Sequence, residues 1–181
     1  FRLLLGKPAH CFANMHGGGP PAKLESMRAM DQLVLKEGAD KTFKGLSGEC
    51  GAGNKGACLV AGLMAMEGQG TMQNLDEAAG LLQKACDLKV PQACFYLGRL
   101  RDGLKGFDGK GLPADAGKAY EHYRQGCSGG SGEACYNVGQ MLDNGRVVDG
   151  EEKKLHARVA IFFGLACTNG VARGCVNLGA I

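Results

Sequence analysis

Nine cysteines, at positions 11, 50, 58, 86, 94, 127, 135, 167 and 175, are the residues of this chain best equipped for chemistry. Eight of them form pairs eight positions apart: Cys50/Cys58, Cys86/Cys94, Cys127/Cys135 and Cys167/Cys175. Thiols at this density point to disulfides, to a metal, or to redox work. Structural zinc favours cysteines two to four residues apart, whereas seven residues intervene here and the four histidines lie elsewhere. Redox catalysis favours C-x-x-C, which is absent. No metal, cofactor or catalytic residue is expected.

A second candidate lies inside the first pair. "CGAGNKGAC", residues 50–58, carries Gly51, Gly53 and Gly56 at the G-x-G-x-x-G spacing that cradles dinucleotide phosphates. That reading requires a preceding strand, and no stretch here alternates with period 2. The segment also shares its register with "CDLKVPQAC", "CSGGSGEAC" and "CTNGVARGC". An inter-repeat turn is the better reading.

Other nucleophile and metal patterns fail. None of Ser26, Ser47, Ser128 and Ser131 has Lys three positions on, so the S-x-x-K of serine β-lactamases is missing, as is K-T-G. There is no G-x-S-x-G, H-E-x-x-H or P-loop. His10 and His16 flank Cys11 in a glycine-rich arm, read as solvated rather than metal-binding. His122 and His156 fall on helical patterns and read as surface. Cys11 is the odd thiol; the plain reading is an unpaired apolar side chain, the sharper one a bond to a partner chain.

The cysteine pairs recur after 36, 41 and 40 residues, which marks an internal repeat. Stacked on the second cysteine, the units read "ACLVAGLMAMEG", "ACFYLGRLRDG", "ACYNVGQMLDNG" and "GCVNLGAI". Gly62, Gly98, Gly139 and Gly179 each follow that cysteine by four positions. Glycine inside a helix costs about 1 kcal/mol relative to alanine, so its recurrence predicts close helix–helix approach. Gly68, Gly103 and Gly145 read as C-caps. In "NLDEAAGLLQKAC" the apolar residues Leu75, Ala78, Ala79, Leu82, Ala85 and Cys86 lie on one helical face. Asn74 and Asp115 read as N-caps. Tyr120 and Tyr123 share the core face of their helix with Ala116, Ala119 and Cys127 and read as packing.

The expected fold class is therefore all-α: a tetratricopeptide-like α-solenoid of helix–turn–helix repeats with inter-helix disulfides. Residues 1–21 read as an extended arm and 22–181 as one solenoid, with units about 22–50, 51–86, 87–127, 128–167 and a partial 168–181. The last unit is either a cap or continued by further chain. Cysteines eight apart in one continuous helix would stand about 12 Å apart, too far for a bond. Each pair, however, encloses helix breakers: "GAGNKG", "KVP", "SGGSG" and "TNG". Each can therefore clamp the end of one helix to the start of the next, adding about 2–3 kcal/mol.

Composition excludes several classes. Gly accounts for 31 of 181 residues, far above the usual ~7% and suited to many turns. The balance of 21 basic against 18 acidic residues leaves no basic block for nucleic acid. "GACLVAGLMAM" is too short to span a membrane. "FRLLLGK" has no initiating methionine and is too short for a signal peptide, so a targeting segment already removed would leave no trace.

The Ala-Cys-x-x-x-Gly helix, its glycine end and the Asp-x-x-Lys-Ala of Asp115, Lys118 and Ala119 resemble the SEL-one-like repeat over about residues 38–181. The cysteine pair resembles the cysteine-rich branch of that family. The unit before Cys167, "LHARVAIFFGLAC", departs from the Asp-x-x-Lys-Ala signature. The branch includes a mitochondrial intermembrane-space assembly factor of cytochrome c oxidase and bacterial secreted proteins described as β-lactamase-like. The resemblance implies a non-catalytic scaffold that holds other protein subunits of a multi-protein complex. The first expectation is an accessory subunit or assembly factor of a respiratory-chain complex facing the intermembrane space. The alternative is a secreted or periplasmic protein, β-lactamase-like or peptidoglycan-binding; a third setting is another oxidising lumen.

One surface feature adds to this. Aligned on the first cysteine of each pair, Gly80, Leu81 and Lys84 correspond to Glu121, His122 and Gln125, and then to Ile161, Phe162 and Leu165. The third set is apolar where its equivalents are mixed or polar. Ile161, Phe162 and Leu165 are the expected partner contact, unless a later segment covers them.

Overall fold

The computed structural model describes residues 38–106, 109, 111–147 and 154–181. The arm at 1–21, the first half of the unit at 22–50, and Cys11, His10 and His16 lie outside the described residues. Among the described residues eight helices follow in order: α1 (Ala39–Gly51), α2 (Lys55–Glu67), α3 (Leu75–Asp87), α4 (Pro91–Arg101), α5 (Ala116–Ser128), α6 (Gly132–Asp143), α7 (Leu155–Thr168) and α8 (Ala172–Leu178). Apart from one isolated bridge between Lys105 and Gly111, every described element is helical.

The helices pack as hairpins, α2 on α3, α4 on α5 and α6 on α7, and each hairpin packs on the next through a short turn. Further contacts run from α4 to α6 and from α1 to α3. The first helices of the hairpins thus form one layer and the second helices another. This is a solenoid, in which each unit leans on its neighbours.

Local chemistry sets the boundaries. Asn74 accepts from the Glu77 N–H and Asp115 from the Lys118 N–H, as their positions predict. That backbone N–H, with the Lys118 ammonium beside it, holds the Asp115 carboxyl below its ordinary range. Asn54 and Ser131 are further caps that sequence reading missed, accepting from Ala57 and Ala134. Both sit inside glycine-rich turns, where they read as turn residues. Gly68 is the left-handed C-cap of α2 (φ 71°), whereas Gly103 and Gly145 stand one residue beyond the caps Asp102 and Asn144.

Two buried clusters form the core. One gathers α1–α4 around Leu59, Met64, Leu82 and Leu97, and the other gathers α5–α7 around Tyr123, Val138, Met141 and Phe163. Phe95 packs against both. The recurrent glycines explain how the hairpins close. A Cβ on Gly62 would fall 2.8 Å from Leu82 Cγ, and one on Gly139 would fall 2.8 Å from the Phe163 ring. Both lie well inside van der Waals contact, so glycine is what lets the facing side chain seat on the backbone. Gly179 does not follow this rule. Among the described residues its Cβ would meet nothing nearer than its own helix at 3.6 Å, because no helix faces it as α3, α5 and α7 face the others.

Candidate functional site

The four turns that follow α1, α3, α5 and α7 are built alike. The third residue after each first cysteine takes a left-handed backbone: Gly53 (φ 91°), Lys89 (φ 62°), Gly130 (φ 94°) and Gly170 (φ 85°). Each of these donates its N–H to the carbonyl of that cysteine. The following residue donates to the carbonyl before the cysteine, as in Asn54 to Glu49 at 3.0 Å and Val171 to Ala166 at 2.9 Å. This is the Schellman arrangement, which ends a helix and reverses the chain.

The reversal is what brings the cysteines together. The Cα atoms stand 4.5 Å apart in Cys50–Cys58, 4.8 Å in Cys86–Cys94, 4.5 Å in Cys127–Cys135 and 4.7 Å in Cys167–Cys175, and all four pairs are disulfide-bonded. Small residues precede both cysteines in three of the pairs. They are Ala85 and Ala93, Gly126 and Ala134, and Ala166 and Gly174. A Cβ on Gly126 would come within 2.9 Å of the Ala134 Cβ, so the helix ends cross in contact beside the bond. The first three disulfides are buried, whereas Cys175 is exposed.

"CGAGNKGAC" is one of these turns. Gly51 ends α1, Gly53 makes the reversal and Gly56 lies in the first turn of α2, with helix rather than strand before it. The glycines there serve backbone reversal and not phosphate approach.

On the layer of second helices, Ile161 is 59% exposed and Leu165 is 41% exposed. Phe162 is half-buried and packs against the second core cluster, so it is a base for the patch rather than its surface. The reason is register: Leu81, His122 and Phe162 occupy the same half-buried position. With Glu121, Arg124 and Gln125 of α5, Phe162 and Leu165 line a groove of about 490 Å³.

That register also corrects the expectation for His122. The imidazole is half-buried, and its Nδ1 is buried without a hydrogen-bond partner. Burial, with Arg101 beside it, holds its pKa below the ordinary value. His156 is exposed, as expected. Tyr120 and Tyr123 are core residues, 4% and 1% exposed.

A polar cluster that joins α5 to the first helices escaped sequence reading. The Tyr123 hydroxyl donates to Asp102 Oδ2 at 3.3 Å, and Asn137 lines a cavity with both residues. Burial, and then the Asp102 carboxylate, push the phenol well above its ordinary pKa. Arg146 is bonded to the other Asp102 oxygen. Residues 102, 123, 137 and 146 are distant in sequence and come from different elements. The one available signal was that Tyr123 holds the position occupied by Leu82 and Phe163, so its hydroxyl needs a partner.

Among the described residues no cluster of three His, Cys, Asp or Glu is placed to hold a metal, and no helix is long and apolar enough to cross a membrane. The bonded cysteines are not available as metal ligands.

The family model of the Sel1 repeat matches residues 55–90, 91–131 and 132–154, more than half of the chain. The chain belongs to the Sel1 repeat family. No curated protein matches it. Among solved structures it resembles a Sel1 repeat protein from Oxalobacter formigenes, at TM-score 0.62 and 21% identity, over 76% of this chain and 97% of that one. It also resembles a protective antigen of uropathogenic Escherichia coli strains that displays an SLR fold. There the TM-score is 0.67 and the identity 20%, over 87% of this chain and 33% of that one, so the chain spans about a third of that antigen. At these identities the likeness is one of fold. The third Sel1 match stops at residue 154, before "LHARVAIFFGLAC", the segment that departs from the repeat signature. Sel1 repeats are in general protein-interaction scaffolds.

Proposed function

We propose that this Sel1 repeat protein is a non-catalytic scaffold that holds other proteins in an oxidising compartment. Four disulfides support the compartment, because bonds of this kind persist where thiols are not kept reduced. Two of the solved structures it resembles are bacterial proteins, one of them a protective antigen. That supports the secreted or periplasmic setting over the intermembrane space. The respiratory-chain role rests on the resemblance of the cysteine-rich repeat alone. Nothing in the serines or histidines favours β-lactam hydrolysis.

The observation that carries the scaffold reading is the exposed pair Ile161 and Leu165. Their counterparts in the two preceding second helices are Gly80 and Lys84, then Glu121 and Gln125. Apolar side chains at positions that earlier units keep small or polar mark a surface meant to be covered. The proposed contact is Ile161 and Leu165, seated on Phe162.

Purification from the native source under non-reducing conditions, wild type against Ile161→Asp, tests this. A protein that co-elutes in fixed ratio with wild type should be lost from the variant, while both melt at the same temperature. Unfolding of the variant would make the patch core. Nitrocefin turnover above background would overturn the non-catalytic reading.

A further inference from the structure

Arg99 lies on α4, one residue past the glycine that seats Tyr123. Its guanidinium carbon stands 5.9 Å from the Phe95 ring centre and 6.0 Å from that of Tyr96. The side chain is half-buried, and no ion pair holds it among the described residues. It borders a shallow cavity of about 290 Å³ that Asp102, Tyr123 and Asn137 also line. Asp102 is already engaged by Arg146 and by the Tyr123 hydroxyl. Arg146 answers the Asp102 charge, so among the described residues Arg99 is left without a carboxylate of its own.

We propose that this cavity is a binding site for a carboxylate side chain of an acidic, extended peptide segment on a partner protein. It rests on the scaffold reading above but uses the opposite layer of the solenoid, the first helices rather than the second. A guanidinium oriented by aromatic neighbours presents its planar N–H edge, which matches a carboxylate with two parallel hydrogen bonds. Asn137 lines the same cavity and carries two amide protons to donate. The Phe95 and Tyr96 rings beside Arg99 restrict its side chain before a ligand arrives, so less ordering remains for binding to impose. The cavity's size suits one acidic side chain and not a large ring system. Leu82 and Phe163, which occupy the Tyr123 position in the neighbouring units, have no hydroxyl, so the neighbouring units cannot build the same network.

The test is a titration of the 15N-labelled, fully oxidised protein, followed through the Arg99 Nε–H and Asn137 amide side-chain resonances. The probes are acetyl-tetraglutamate amide, acetyl-tetraglutamine amide and inorganic phosphate. The glutamate peptide should shift both resonances saturably and the glutamine peptide should shift neither. Arg99→Gln should abolish the response. Arg99→Lys keeps the charge but loses the fork, and should weaken binding about tenfold. An equal response to the glutamine peptide, an unchanged response in Arg99→Gln, or phosphate binding as tightly as the peptide would each overturn the proposal. The two readings fail separately. If Ile161→Asp releases a partner while the glutamate peptide leaves Arg99 unmoved, the scaffold stands and this site does not.

Discussion

The Tyr123 ring lies directly on the backbone of Gly98, so that a Cβ on Gly98 would fall 2.6 Å from two of its ring carbons. Tyr123 is 1% exposed and cannot move aside without disturbing Phe95, whose ring centre is 6.1 Å away. Gly98→Ala should therefore destabilise the fold by about 1–3 kcal/mol, despite the better helix propensity of alanine. Gly179→Ala is the control, since nothing faces that position among the described residues. It should change stability by less than about 0.5 kcal/mol. Urea midpoints at unchanged slope measure both. Equal losses at the two positions would mean that glycine serves something other than close approach.

Lys89 makes the helix reversal that Gly53, Gly130 and Gly170 make elsewhere, and it does so with a side chain at φ 62°. A left-handed backbone costs a non-glycine residue about 1 kcal/mol. Lys89→Gly should recover roughly 0.5–1 kcal/mol, less the greater freedom of glycine in the unfolded chain. Gly130→Ala, at φ 94°, should lose about 1–2 kcal/mol. Thermal melting of the two variants should move in opposite directions.

His122 should make the fold acid-sensitive. Its folded pKa lies below the ordinary 6.5, first because burial penalises the charged ring, then because Arg101 repels it; Asp87 and Glu121 act the other way, and Lys118 adds to the repulsion. In the window between the two pKa values the unfolded chain binds more protons than the folded one, so stability falls as pH falls. The contribution is whole above about 6.5 and lost as pH drops through the folded value. Urea denaturation between pH 7.5 and 5 reads the slope. His122→Leu, which takes the residue found at the equivalent Leu81, should flatten it.

The Cys167–Cys175 bond should be the first to open under a graded dithiol reductant, because Cys175 is exposed while Cys58 and Cys135 are fully buried. Alkylation followed by peptide mapping should label Cys167 and Cys175 before any other pair. Cys50→Ser with Cys58→Ser removes a buried clamp and should cost about 2–3 kcal/mol. Simultaneous labelling of all four pairs would show that exposure does not set the order.

Much of the scaffold was legible in the cysteine and glycine spacing. Cysteines eight apart with breakers between them imply a reversal, because a bonded pair must bring its Cα atoms far closer than one continuous helix allows. The caps Asn74 and Asp115 were legible for the same reason: a cap acts on its own first turn, and its chemistry is local. The glycine four residues after each second cysteine signalled close approach, but spacing alone could not say what approaches. Leu82, Tyr123 and Phe163 are the answers, and each arrives from the next helix.

Exposure and partnership were decided only in three dimensions. Periodicity put Ile161, Phe162 and Leu165 on one outward face, but in the packed solenoid Phe162 lies half-buried against the second cluster while Ile161 and Leu165 stay exposed. His122, at the equivalent position of α5, is half-buried in the same way, although a helical wheel places it at the surface. The Asp102, Tyr123, Asn137 and Arg146 cluster draws on two helices, a helix cap and the segment after α6. The sequence by itself determined the repeat, the turns and the clamps, because each is set by residues a few positions apart. The tertiary structure decided which side chains meet, because contacts between helices depend on how whole units lean on one another.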